Sequence, residues 1–147
     1  MDMDIKDTVH KIVHYFDTRN PFEIINAMGA ILVRHPLEGV RGFYQFYRRN
    51  SIIYVDVNLP KKESQIVSAH ELGHLFLHKT SNALFMDTRT QFNTHKYEIE
   101  ANTFAMELLV PDEIILENIY STTEQLSRLL DYEQKLIELR LESFRKI

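Results

Sequence analysis

Apolar positions along this chain repeat with two periods, and the switches between them outline a fold. Ile5, Val9, Ile12, Val13 and Phe16 recur at helical spacing. Asn20, Pro21 and Glu23 then read as a helix start, with Asn at the N-cap, Pro at the first helical position and an acid in the first turn. That helix is expected to run to about Met28 and stop at Gly29. Ala30–Val33 is a short β-type run. Phe43–Tyr47 and Ile52–Val57 are rich in aromatic and β-branched residues, and the polar stretch Arg48–Ser51 between them predicts a β-hairpin.

Helical periodicity returns after Pro60. Ile66, Val67, Ala69, Leu72, Leu75, Phe76 and Leu77 predict a largely apolar helix over about Ser64–His78. Thr80–Thr94 is polar and irregular and reads as a loop. A second buried helix is expected over about Lys96–Leu109, stopping before Pro111. Pro111-Asp112-Glu113 opens a short helix, Ser121-Thr122-Thr123-Glu124 has the form of a capping box, and a last helix should end near Arg145. The predicted class is α+β: a small antiparallel sheet with a hairpin, packed against helices, and an all-helical C-terminal third. With 147 residues and no linker-like segment, the chain is read as one domain, residues 1–147, with a helical subregion from about 111.

Composition narrows the function classes. The net charge is −4 and no basic block occurs, so a sequence-independent grip on nucleic acid is not expected. The absence of cysteine excludes disulfides and thiolate metal ligands. The acidic start Met1-Asp2-Met3-Asp4 is unlike a secretory signal, and no apolar run approaches the ~20 residues of a membrane span. The expectation is a cytoplasmic protein without membrane contact.

The candidate chemistry lies in His70-Glu71-Leu72-Gly73-His74. In a helix, His70 and His74 stand one turn apart on one face, where two neutral imidazoles can hold one Zn2+. Glu71, one position round from His70, can reach a water beside that ion. By residue frequencies alone such a pattern would turn up on the order of once in a few hundred chains of this length, so it needs context. A catalytic zinc takes three protein ligands and leaves a position for water, so a third ligand is required. Glu98 supplies it: it shares the inward stripe of Ala101, Phe104, Ala105, Leu108 and Leu109. Glu100 is turned about 200° away at ~100° per residue and reads as a solvated or first-turn charge. Asn102 shares the face of Glu98 and could hydrogen-bond a ligand or simply lie on the helix surface.

The remaining histidines are weaker candidates. His78 continues the i+4 series, but ~12 Å along the axis separates it from His70, too far for one ion, so it reads as a helix-end histidine. His10 and His14 read as surface residues. His95 and Tyr97 are low-grade candidates for stabilising an oxyanion. The parts imply a hydrolase in which Zn2+ acidifies a water and polarises a carbonyl, while Glu71 moves the water's proton to the leaving amine.

Ala69-His70-Glu71-Leu72-Gly73-His74, with Glu98-x-x-Ala101-Asn102-x-Phe104-Ala105 and Leu108-Leu109-Val110-Pro111, resembles the ImmA/IrrE family of metallo-endopeptidases. The resemblance implies His70, His74 and Glu98 as zinc ligands and Glu71 as catalytic base. It also implies a protein substrate of the helix-turn-helix repressor type, found in phages and mobile elements. A different class of function is a binding protein that sequesters a repressor or toxin partner without cutting it.

Overall fold

The computed structural model describes residues 4–78 and 91–145. In chain order its elements are α1 (Ile5–Phe16), α2 (Pro21–Ala27), β1 (Ile31–His35), β2 (Gly42–Tyr47), β3 (Asn50–Asp56) and α3 (Lys61–Leu77). The helices α4 (Gln91–Leu109), α5 (Asp112–Glu117), α6 (Thr123–Leu130) and α7 (Gln134–Arg145) follow. The α+β class is as expected, and several boundaries differ. Helix α3 begins at Lys61 rather than Ser64, with Pro60 at the N-cap position and no side-chain cap hydrogen bond. Helix α4 already includes Gln91–His95, a polar stretch with no apolar period to announce it. The rest of the expected loop, residues 80–90, lies outside the described residues. The capping box before α6 is Thr122 with Gln125, one residue later than Ser121 with Glu124. Both frames satisfy the pattern, and the later one is used.

The sheet differs from a purely antiparallel one. Strands β2 and β3 form the expected hairpin, with Tyr47 opposite Asn50, and Arg48 and Arg49 both take positive φ (50° and 67°). That is the backbone of a tight two-residue hairpin turn, held here without glycine. Strand β1, however, pairs parallel with β3, from Ile31 opposite Ile52 to His35 opposite Asp56, and the order is β1-β3-β2. The strand richest in β-branched residues thus takes the centre, where Ile53 and Val55 are fully buried. A short run such as β1 carries no mark of the direction in which it will pair.

Helix α4 is the shared wall of two cores. Its Phe104, Ala105 and Leu108 join Val9, Ile24, Ile53, Leu72 and others in a cluster beneath the sheet. Its Met106, with Val110 just past its end, joins Ile115, Leu126 and Ile137 in a second cluster among the C-terminal helices. Arg140, almost fully buried, ties α7 to this wall: its Nε donates to the Val110 carbonyl at 2.7 Å and its guanidinium meets Glu107 at 3.2 Å and Asp112 at 2.5 Å. No helix among the described residues is long and apolar enough to cross a membrane.

Candidate metal centre

Helices α3 and α4 approach closely enough for side chains from both to meet, and Gly73 sets that distance. A Cβ on Gly73 would lie 3.1 Å from Ala101 Cα, from the Ala101 carbonyl oxygen and from Phe104 Cβ. The small residues Gly73 and Ala101 therefore form the point of contact, one turn from the residues with chemistry. On the other side of α3, Gly42 at the start of β2 lies against Val67 and close to Glu71 Cγ, at 3.8 Å from the position of a Cβ. The glycine inside the His-Glu-Leu-Gly-His motif is thus a packing residue.

His70, His74 and Glu98 converge, with donor atoms all within 4.8 Å of one another. His74 Nε2 lies 3.2 Å from His70 Nε2 and 2.7 Å from Glu98 Oε1, and His70 Nε2 lies 3.1 Å from Glu98 Oε2. Two imidazole nitrogens turned toward each other at 3.2 Å are poor company for themselves. Four-coordinate zinc with bonds of about 2.0–2.1 Å has ligand atoms roughly 3.3 Å apart, so the spacing matches one edge of such a site. The residues present fit the ion. Among the described residues no fourth protein ligand joins the three. The Glu98 side chain is 46% exposed whereas His74 is 2% exposed, so the cluster opens to solvent on the Glu98 side. Glu71 is buried, and its Oε2 is 4.0 Å from His70 Nε2, beside the open face.

The electrostatics follow from this crowding. Burial disfavours the charged form of His70, but the Glu98 hydrogen bond and the charges of Glu71 and Glu98 outweigh it and raise its pKa. Burial dominates at His74, where the neighbouring His70 and His78 also resist a second positive charge, and its pKa is lowered despite Glu98. Burial works against ionisation of Glu98, yet hydrogen bonds from both rings hold its carboxyl far below the usual carboxylate range. The surroundings thus favour the charged form more at His70 than at His74, and favour the ionised form of Glu98.

A second layer surrounds the three. His70 Nδ1 is 2.7 Å from Asn102 Oδ1, so Asn102 holds a ring of the cluster and is not merely a helix-surface residue. His78 ends α3 as expected, but it is buried, with Nδ1 3.0 Å from His74 Nδ1. Its Nε2 is 2.7 Å from Glu100 Oε1, which corrects the reading of Glu100 as a solvated charge. Glu100 does point away from the Glu98 position, as helix geometry requires, and there it finds the last turn of α3. The i+4 spacing of His78 from His74 was the available signal for this contact. Tyr97 packs its ring on His78, 4.2 Å between centroids, and His95 is exposed. His10 and His14 are exposed on α1 as expected.

Comparison with known proteins agrees with the arrangement. Residues 26–135 match a peptidase family model described as IrrE N-terminal-like domain. The chain is 40% identical over 121 residues, 82% of its length and 75% of the relative's, to "Uncharacterized immunity region protein 2" of Bacillus phage phi105. It is 29% identical over 113 residues, 77% of its length and 67% of the relative's, to "Metallopeptidase ImmA" of Bacillus subtilis (strain 168). A match over most of the chain, on the helices that carry the histidines and Glu98, establishes that this protein belongs to the ImmA/IrrE metallopeptidase family.

Proposed function

We propose that the chain is a zinc-dependent endopeptidase that cuts a protein substrate, a helix-turn-helix transcriptional repressor of a phage or mobile element, in the cytoplasm. The observation that carries this reading is the convergence of His70, His74 and Glu98 beside the buried carboxylate of Glu71. His70 Nε2, His74 Nε2 and one Glu98 oxygen would hold the ion. When bound, Zn2+ supplies Lewis acidity, bringing the pKa of a water toward about 7 and polarising a carbonyl. Glu71 would take the water's proton and deliver it to the leaving amine, from a buried position that keeps competing solvent away. Asn102 and Glu98 hold the rings in place for that step. Residues 1–147 would act as one unit, because α4 serves both cores.

Two further observations support a polypeptide substrate. A relative in the comparison is named for a phage immunity region, where repressors operate, and another is named a metallopeptidase. A groove of about 890 Å³ runs between α3, α4 and α7, with Ile66, Ile99, Leu136 and Leu139 in its walls. Asn102, which holds His70, also lines this groove.

The test is to incubate the Zn2+-loaded protein, well below one equivalent, with a helix-turn-helix repressor from a phage immunity region. Fragments accumulating beyond the amount of enzyme are expected, and a chelator should stop them. Glu71→Gln should bind Zn2+ while cleavage falls by about 10²–10⁴-fold, the range for loss of a general base. An intact repressor captured one-to-one would instead identify a sequestering protein.

A further inference from the structure

Beyond the three candidate ligands and Glu71, the molecule spends two more buried or half-buried ionisable groups on the same spot. We propose that His78 and Glu100 are positioning residues that fix the tautomer of His74, so that its Nε2 is always the free donor. The inference rests on the reading of His74 as a metal ligand.

With a cation on His74 Nε2 in place of the hydrogen that this atom shares with Glu98 in the metal-free protein, the rest of the hydrogen-bond chain leaves one self-consistent assignment. A carboxylate oxygen can only accept, so opposite Glu100 Oε1 it is His78 Nε2, 2.7 Å away, that carries the hydrogen. A neutral imidazole has one N–H, which leaves His78 Nδ1 as an acceptor. His74 Nδ1, 3.0 Å away, then donates to it, and the lone pair of His74 is left on Nε2, the atom turned toward His70 and Glu98. Reversing any one bond puts two hydrogens or two lone pairs face to face somewhere in the series. His78 and His74 are 5% and 2% exposed, so water does not readily relieve such a mismatch.

The packing reinforces the bonds. The His78 amide donates to the His74 carbonyl at 2.7 Å, and the ring lies against Tyr97, while Tyr44 stacks on the His74 ring at 5.1 Å with the planes 15° apart. His70 reaches the same state more simply: Asn102 Oδ1 accepts from its Nδ1–H. The two rings of one motif are therefore held by different devices, a neutral amide for His70 and an imidazole backed by a carboxylate for His74. A carboxylate behind the chain makes His74 the stronger donor.

Replacing His78 separates this role from mere packing. Asn carries an acceptor oxygen at the place of the His Nδ1, and Leu has nearly the same shape without one. The Zn2+ affinity of the full chain, read by competition with a chromogenic chelator, is expected to fall about 10–100-fold in His78→Leu and to be largely restored in His78→Asn. Glu100→Gln should weaken Zn2+ in the otherwise unchanged chain and have no effect beside His78→Asn, because it acts only through the His78 ring. Nitrogen NMR of ¹⁵N-histidine in the unsubstituted Zn2+-loaded protein should show the hydrogen on Nε2 of His78 and on Nδ1 of His74. Equal affinities for the Leu and Asn variants, or a hydrogen on Nδ1 of His78, would overturn the inference while leaving the metal centre intact. A wild-type chain that takes up no Zn2+ would overturn the centre itself, and this inference with it.

Discussion

Two polar clusters are buried along α4, one toward each end, and their charges balance differently. At the C-terminal end Arg140 and Lys6 face Glu107 and Asp112, two positive charges against two negative, with Lys6 3.1 Å from Asp112. At the other end Glu71, Glu98 and Glu100 stand among three imidazoles, three carboxylates beside rings that are positive only when protonated. The first cluster is complete as it stands and works as a staple between helices. The second gains most from a divalent cation, and that difference separates a structural polar core from a site prepared for chemistry.

The sharpest way to break the comparison is to remove the cation that the finished cluster already has. Arg140→Met leaves Glu107, only 2% exposed, with the Ser143 hydroxyl but without the cation that balances its charge. Truncating one member of a buried pair costs about 3–5 kcal/mol. Urea denaturation should show a loss of that size, and Arg140→Met combined with Glu107→Leu should recover much of it. A loss below about 1 kcal/mol would mean that the staple does not hold α7.

The same operation at the open cluster is expected to behave otherwise. The Glu98 side chain is 46% exposed, so Glu98→Gln should change the stability of the metal-free protein by less than about 1 kcal/mol. What it should remove is the stabilisation by Zn2+, about 2.7 kcal/mol for the unsubstituted chain at a hundred times Kd. Thermal melts with and without Zn2+ read both quantities. A variant that still gains the full increment would show that Glu98 is not a ligand.

Gly73 tests whether the helix crossing matters as much as the ligands. Gly73→Ala places a methyl 3.1 Å from the α4 backbone, and overpacking of this kind costs about 1–3 kcal/mol. Because Ala is the better helix former, any gain from propensity works against that cost. Weaker Zn2+ uptake should accompany the destabilisation, since the same shift moves Glu98 away from the histidines. Normal affinity in a destabilised variant would show that the crossing and the centre are independent.

How much of this was legible in the chain depends on whether a feature is local. His70, His74 and Glu98 lie on two helices whose periods are plain in the sequence, so geometry along each helix was enough to group them, whereas Asn102 stayed open between a ligand's partner and a surface residue. The partnership of His78 with Glu100 was missed because it depends on how the helices are turned against each other. Rotation of α4 by ~100° per residue carries Glu100 off the Glu98 face, but only the crossing at Gly73 decides what it then meets. The parallel pairing of β1 was hidden for a related reason, since five residues can pair in either direction and the neighbour chooses. No local pattern marks Arg140 as buried. Its burial comes from carbonyl and carboxylate groups that α4 and α5 bring from 28–33 residues away.

The smallest effect concerns acid, and it sets the two clusters against each other once more. Burial raises the pKa of Asp112, but hydrogen bonds from Arg140 and Lys6 lower it more, leaving the folded-state value below that of the unfolded chain. A depressed carboxyl contributes stability that is whole above the unfolded value near 3.9 and is lost as pH falls through the folded value beneath it. Asp112→Asn should therefore be less stable than the unsubstituted protein at pH 6, and the gap should narrow as the pH is taken below the unfolded value. Measuring the gap with Zn2+ absent keeps the other cluster out of the comparison, because the Glu98 background is common to both proteins and cancels. A gap unchanged across that range would mean that Asp112 acts through its shape and hydrogen bonds, and that the charge balance of the finished cluster contributes little to stability.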